Sequence, residues 1–438
     1  MAGEKKEQQD EFAFITEKVM EQSIRRKRWM MRILGTFILA IIFGTTAAVS
    51  FVLVLPYIQA KFPKEEERES ITIPRDELPT MTPIQIEESD ITQEEISTTE
   101  PIIDIVENVL AERTLTIEDF NSLYEAIYQV VEKVNQSIVT VISVESEIDW
   151  FNNPYESKGE TSGLIFNKTD TEILILTDIE SIHSADDIRV TFENGKECGA
   201  ILRKADIVSG IAILAINTEE FTTKELQAIS TAVLGNSYIT KPGDIAIAVG
   251  SPLGDNYSMA YGVISSIKNI VQTTDANYKI LSTNIVGSKQ GKGFLINTKG
   301  EVIGILTKLR EIESREQIVE AIAISDMKGI IEKLSNGIAI SYFGIKGQEI
   351  TTELEKETKR PQGIYVTEAI VGSPVYKAGI QSGDVIVALG ETEVKTMKTL
   401  RNLLDNYELG DVIKVTVKRQ GREEEKTIVF DVILETQK

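Results

Sequence analysis

Gly293-Phe294-Leu295-Ile296-Asn297-Thr298-Lys299-Gly300-Glu301-Val302-Ile303-Gly304-Ile305 reads as a short apolar strand, a turn at 297–300 and a second short strand. The same grammar recurs through the middle of the chain. Ser137-Ile138-Val139-Thr140-Val141-Ile142-Ser143-Val144 is β-branched and alternating, and later runs are punctuated by Asn152-Asn153-Pro154, Asn167-Lys168, Asn194-Gly195 and Lys241-Pro242-Gly243-Asp244. Regular short strands with such turns predict an all-β barrel or sandwich domain. A helix precedes them. Thr116 with Asp119 suits a capping box, and Phe120, Leu123, Ile127, Val130, Val131 and Val134 recur at helical spacing, a stripe that reads as core.

Toward the N-terminus, residues 33–55 carry no charge and are long enough, at about 1.5 Å per residue, to cross a hydrocarbon layer of roughly 30 Å. Arg25, Arg26, Lys27, Arg28 and Arg32 lead into this run, whereas Lys61 and Lys64 beyond it are offset by Glu65, Glu66 and Glu67. The positive-inside rule puts a cytoplasmic basic segment at 1–32, a single span at 33–56 and the rest outside. No pair of small residues near Tyr57-Ile58-Gln59-Ala60 suits a signal-peptide cleavage site, so the span reads as an uncleaved anchor. Residues 57–115 then turn to Glu, Thr, Ser, Ile and Pro, with Pro63, Pro74, Pro79, Pro83 and Pro101 along them. That composition predicts an extended, self-repelling tether, with a short amphipathic helix at 102–110.

The 438 residues allow two or three domains, and 68 Asp and Glu against 46 Lys and Arg leave a net charge of -22, which repels nucleic-acid phosphate. One cysteine, Cys198, excludes an intramolecular disulfide, and it reads as a small apolar residue at the start of a strand. One histidine, His183, and one cysteine make no metal site, and nothing calls for a cofactor.

Four landmarks together resemble the HtrA (DegP-like) serine proteases. They are Ser162-Gly163-Leu164-Ile165-Phe166 with Ile173-Leu174-Ile175-Leu176-Thr177, Gly210-Ile211-Ala212-Ile213-Leu214, Val249-Gly250-Ser251-Pro252-Leu253-Gly254 with Gly262-Val263-Ile264-Ser265-Ser266, and the hairpin quoted at the outset. The resemblance implies a mainly β chain. It has an N-terminal transmembrane helix, a trypsin-like domain of two six-stranded β-barrels at 116–335, and a C-terminal α/β PDZ domain at 340–435.

The same alignment puts Glu180 where the family has its catalytic histidine, Gly210 where it has aspartate and Gly291 where it has the nucleophilic serine. Gly291 offers no oxygen, and removing a nucleophile costs on the order of 10⁶ in turnover. Lys292 replaces a family glycine, and the loop before it is one residue shorter. A displaced dyad of His183 with Ser288, or Ser288 with Lys289 or Lys292, is the alternative way to assemble chemistry.

In the last hundred residues, Tyr342-Phe343-Gly344-Ile345, Gly363-Ile364-Tyr365-Val366, Gly372-Ser373-Pro374 and Ser382-Gly383-Asp384 resemble a PDZ domain of the HtrA type. Such domains take a peptide C-terminus as an added strand and hold its carboxylate in a nest of backbone N–H groups. Here the nest falls at residues 342–345, with Gly344 allowing close approach. A helix at 396–407 with Leu400, Leu403 and Leu404 supplies the other wall, its leucines divided between groove and core.

Two functional readings result. The first is an extracytoplasmic pseudoprotease in a bacterial cell membrane, binding polypeptide C-termini or unfolded segments and anchored in the bilayer through 33–56. The second is an active serine endopeptidase with a rewired site. The resemblance makes a homotrimer a reasonable assembly.

Overall fold

Strands with both faces covered run apolar at successive positions instead of alternating. Glu172–Asp178 and Ile211–Asn217 are of this kind, and all of their residues except Glu172 and Asn217 are buried. The computed structural model of the protein describes residues 69–77, 116–148, 154–306, 318–421 and 424–436, together with Leu34, Leu39, residues 43–46 and Ser50. The basic segment, nearly all of the expected span at 33–56, and the 57–115 tether apart from 69–77, including its helix at 102–110, lie outside the described residues. Among the described residues no helix is long and apolar enough to cross a membrane. The chain divides into two units, Met1–Glu69 and Ser70–Lys438, and the second carries the β domains.

Helix α1 (Ile117–Asn135) opens with the capping box read from the sequence: Thr116 accepts from Asp119 N–H and the Asp119 carboxylate accepts from Thr116 N–H. Only its C-terminal half is core. Ile127, Val131 and Val134 are buried, whereas Phe120 and Leu123, with Tyr124 and Tyr128 beside them, are about half exposed.

The first β domain comprises β1 (Ile138–Ile148), β2 (Pro154–Lys168), β3 (Glu172–Asp178), β4 (Asp187–Thr191), β5 (Glu197–Gly199), β6 (Ile201–Asp206) and β7 (Ile211–Asn217). They pair in the order β5-β4-β1-β2-β3-β7-β6, seven strands where six are expected. The extra strand comes from a bend. β5 and β6 are one continuous stretch that changes partner at Ala200: its N–H still donates to Ile188 O of β4, and from Ile201 onward the chain pairs with β7. The second domain is a closed six-stranded barrel, β10-β13-β12-β11-β8-β9. Its strands are β8 (Ile245–Ser251), β9 (Ser258–Thr273), β10 (Ala276–Val286), β11 (Lys292–Ile296), β12 (Val302–Leu306) and β13 (Ile318–Ala323). Between the two domains lies the short helix α2 (Thr223–Ala228), and α3 (Ile324–Ser335) follows β13. The outer faces of β3 and β7 explain their unbroken burial: Leu174, Leu176, Ile211 and Ile213 join Ile247, Val249 and Phe294 of the second barrel in one shared core. Each such side chain contributes about 1.5–3 kcal/mol on leaving water.

The C-terminal domain has β14 (Ser341–Tyr342), β15 (Ile345–Ile350), β16 (Gly363–Ala369), β17 (Val385–Leu389), β18 (Thr392–Glu393), β19 (Val412–Gln420), β20 (Glu425–Ile433) and β21 (Glu435–Thr436). Helices α4 (Thr352–Thr358), α5 (Pro374–Ala378) and α6 (Met397–Leu404) pack with them. Its core settles the division of the leucines. Leu400 and Leu404 are fully buried, and Leu403 is partly buried against the same cluster, so all three pack inward.

One stretch of the expected tether is not free. Ile71 and Ile73 are buried, and Ile71 exchanges hydrogen bonds with the Asn336 side chain while Ile73 N–H donates to Glu332. Asp76 then accepts from Ser325 and pairs with Lys328, both buried on α3. The Ile-Thr-Ile-Pro-Arg-Asp run at 71–76 escapes the entropic argument because its two isoleucines find apolar cover and its backbone finds side-chain partners.

Candidate functional site

The crevice between the two barrels is where the aligned catalytic positions should meet. β3 brings its last residue, Asp178, to this crevice, and β11 brings its first, Lys292. The Lys292 Nζ lies 2.5 Å from Asp178 Oδ2, 2.7 Å from Ser181 Oγ and 3.5 Å from Glu180 Oε2. An ammonium has three donors and no acceptor, so these contacts use all it has. The pair is well screened from water, at 14% side-chain exposure for Lys292 and 7% for Asp178. Ser181 Oγ in turn donates to Asp178 at 3.1 Å, and its N–H to the same carboxylate at 3.0 Å.

Around this bridge the three aligned positions are spread out. Glu180 is exposed and touches only the rim of the bridge. Gly210 closes the β6–β7 turn at φ 77°, in the left-handed region that glycine enters without a Cβ penalty. Gly291 lies where a Cβ would be 2.3 Å from Pro252 O and 3.0 Å from Ser288 O, so the shortened loop has closed over the space a serine side chain would need. That collapse is held by Ser288 N–H to Pro252 O and Gly291 N–H to Ser288 O.

The displaced-dyad residues are not brought together. His183 is exposed, no hydrogen bond joins it to Ser288 among the described residues, and Ser288 Oγ accepts from Gln290 N–H at 3.2 Å. Lys292 is committed to Asp178. Cys198 is buried, and burial, reinforced by Glu220, pushes its thiol up to about 11, which suits a packing residue. Among the described residues no cluster of His, Cys, Asp and Glu could hold a metal.

The second site is the loop at 342–345. Phe343 and Ile345 bury their side chains in the domain core, and what they present is backbone. The amides of Phe343, Gly344 and Ile345 converge, but on a residue of the second barrel. Phe343 N–H donates to Asp275 Oδ2 at 2.8 Å, Gly344 N–H to both oxygens at 2.7 and 2.9 Å, and Ile345 N–H to Oδ1 at 2.9 Å. Tyr342 takes no part in this nest and pairs with Glu435 across β14 and β21. Gly344 has φ 98°, and its Cβ would meet Ser373 Cβ at 2.1 Å, so the close approach it allows is to the α5 cap and not to the bound carboxylate.

Asp275 lies in the tight turn joining β9 to β10, itself at φ 63°, a region that aspartate tolerates better than most residues. It is buried, and burial pushes its carboxyl above the usual carboxylate range, against the pull of the three amides and Arg401. Arg401 on α6 holds Ser341 O and Oγ and pairs with Asp405, which also receives Lys333 of α3. A cleft of about 570 Å³ opens beside this contact, lined by Arg75, Asp76, Tyr238, Lys398 and Asn402 among others.

Neither Asp178 nor Asp275 stood out in the sequence. Asp178 ends an apolar run and Asp275 sits in an ordinary turn, so each gains its meaning only from a partner more than 65 residues away.

Comparison with known proteins agrees with this architecture. Residues 161–305 match the trypsin-like peptidase domain family and residues 342–429 the PDZ domain family. The serine protease Do-like HtrA of Bacillus subtilis (strain 168) is 27% identical over 334 residues, covering 72% of each chain. The serine protease Do-like HtrA of Lactobacillus helveticus is 27% identical over 289 residues, covering 62% of this chain and 68% of that one. A solved HtrA-type protease, AlgW with decapeptide, shares the fold at a TM-score of 0.51 and 19% identity, covering 70% of this chain and 98% of that one. A trypsin-like peptidase domain followed by a C-terminal PDZ domain, in a chain similar to HtrA proteins along most of its length, supports an HtrA-like family with a C-terminal PDZ domain.

Proposed function

We propose that this chain is a membrane-anchored, extracytoplasmic pseudoprotease that binds protein C-termini or unfolded segments through its PDZ domain, as a scaffold, adaptor or chaperone-like component of protein quality control. The observation that carries this reading is the Lys292 bridge to Asp178 and Ser181, beside a Gly291 that has neither a hydroxyl nor space for one. Acyl transfer needs a nucleophile whose proton a base can take, and the bridge fills that position with an ammonium. Membrane anchoring through 33–56, with the N-terminus in the cytoplasm, rests on the uncharged run and its basic flank. The exposed Phe120, Leu123, Tyr124 and Tyr128 on α1 favour self-association, for which a homotrimer is the proposed state.

A fluorophosphonate probe on the full chain, with an unfolded protein as substrate, tests the central claim. No labelling and no cleavage are expected. Labelling that vanishes on Ser288→Ala would establish the rewired endopeptidase instead. Shaving intact cells with an added protease should remove the β domains, and their protection would reverse the topology.

A further inference from the structure

The nest at Phe343, Gly344 and Ile345 is occupied by the chain itself, and the occupant copies a bound terminus in more than its carboxylate. Asp275 N–H donates to Ile345 O at 2.8 Å, and Asn277 Nδ2 donates to Gly347 O at 3.2 Å, two residues further along β15. A peptide added antiparallel to β15 would use those same two carbonyls, the first for its last N–H and the second for the N–H two residues earlier. The hairpin reaches them with the opposite chain direction, since 275 to 277 runs the same way as 345 to 347. A residue in mid-chain has no terminal carboxylate, so the Asp275 side chain supplies one. Thr273 Oγ1 bonds Ala276 O and holds the turn that aims it.

We propose that this nest is a binding site for an internal aspartate presented on a tight β-turn. Asp275 fills it in the resting protein, and a polypeptide with a free C-terminus enters only by displacing the β9–β10 hairpin. The proposal rests on the peptide-binding reading above and adds what controls it. The apparent affinity for a terminus is its intrinsic affinity scaled by the fraction of molecules with the hairpin released. A ligand that succeeds also frees Asp275 from the three amides and releases the β9–β10 hairpin from β15.

The test uses the full chain in detergent micelles, as wild type, Asp275→Ala and the near-isosteric Asp275→Asn, with thermal midpoints to show that each variant is folded. The probes are fluorescent peptides with apolar C-termini, free or amidated. Hydrogen exchange is followed at the amides of 343–345. Both variants should bind the free-acid peptides at least tenfold more tightly than wild type, reject the amidated ones, and exchange the three amides faster. Equal affinity in all three proteins, with amidated peptides still rejected, overturns the internal occupant and leaves peptide binding standing. If no protein binds any peptide, faster exchange in the variants supports the occupant and removes the peptide-binding reading. Unchanged exchange overturns the occupant whatever the peptides do.

Discussion

Two places built to receive something from outside are filled from inside, and with opposite charge. In the barrel crevice a lysine from β11 reaches across to Asp178, and in the PDZ nest an aspartate from the β9–β10 turn reaches into backbone amides. The difference lies in what surrounds each plug. Lys292 sits on a backbone that has closed behind it, with Gly291 pressed against Pro252, so removing the side chain would not reopen the site. Asp275 sits on a turn against a nest that keeps its shape through Ser373 and the domain core, so removing it would leave the nest ready for another carboxylate. The first filling is a reconstruction of the backbone and the second is an occupancy.

The sharpest way to break that contrast is to restore the aligned triad. Gly291→Ser, Glu180→His and Gly210→Asp together should leave turnover of an unfolded protein about 10⁶-fold below that of a complete triad, because the new Cβ at 291 meets Pro252 O. Measurable hydrolysis would show that the crevice is only occupied, like the nest.

A smaller effect is expected from the bridge itself. Lys292→Met removes the ammonium from a poorly hydrated carboxylate and should lower unfolding stability in urea by about 3 kcal/mol. Adding Asp178→Asn should return most of it, since the cost belongs to a buried carboxylate charge that has lost its ammonium. If the single change were neutral, the bridge would be no more than a rim contact.

Asp76→Ala, which leaves the buried Lys328 ammonium without its carboxylate, should cost about 2 kcal/mol by the same logic. Thermal unfolding of the full chain reads it.

Acid titration gives the smallest effect. Burial alone would raise the Asp405 carboxyl, but Arg401 and Lys333 outweigh it and hold it below its ordinary 3.8. Its folded value is therefore depressed. The stability it contributes is complete above about pH 4 and is lost as pH falls through the lowered folded value. Asp275, whose carboxyl is raised, has the opposite sign: its contribution is complete below 3.8 and lost as pH rises through its higher folded value. Stability measured from pH 5 down to pH 2 should fall less steeply in Asp405→Asn, by about 1 kcal/mol, and no less steeply in Asp275→Asn.

How much of this could be read from the sequence follows the range of the interactions. Strands such as Glu172–Asp178, the capping box at Thr116 and the Asn297 to Gly300 turn are local, and each is visible in a few residues. The absence of a hydroxyl at Gly291 is equally visible, being a matter of residue type. The bridge beside it is not, because Lys292 finds Asp178 from 114 positions away. The PDZ loop was recognisable, yet its occupant lies in a different domain. The docking of 71–76 is not legible for a related reason: the composition argues for solvation, and Ile71 and Ile73 find their cover and partners only in the folded body.

That docked stretch changes what a cut in the tether would mean. Residues 71–76 are held on α3 by side chains and not by covalent continuity with the body alone, and the 78–115 stretch separates them along the chain from α1. Proteolysis within 78–115 would convert the protein into two noncovalently joined pieces, one ending in the docked 71–76 segment and the other carrying the β domains. Their separation would then be set by a dissociation rate, and competing copies of the 71–76 segment could exchange one body for another.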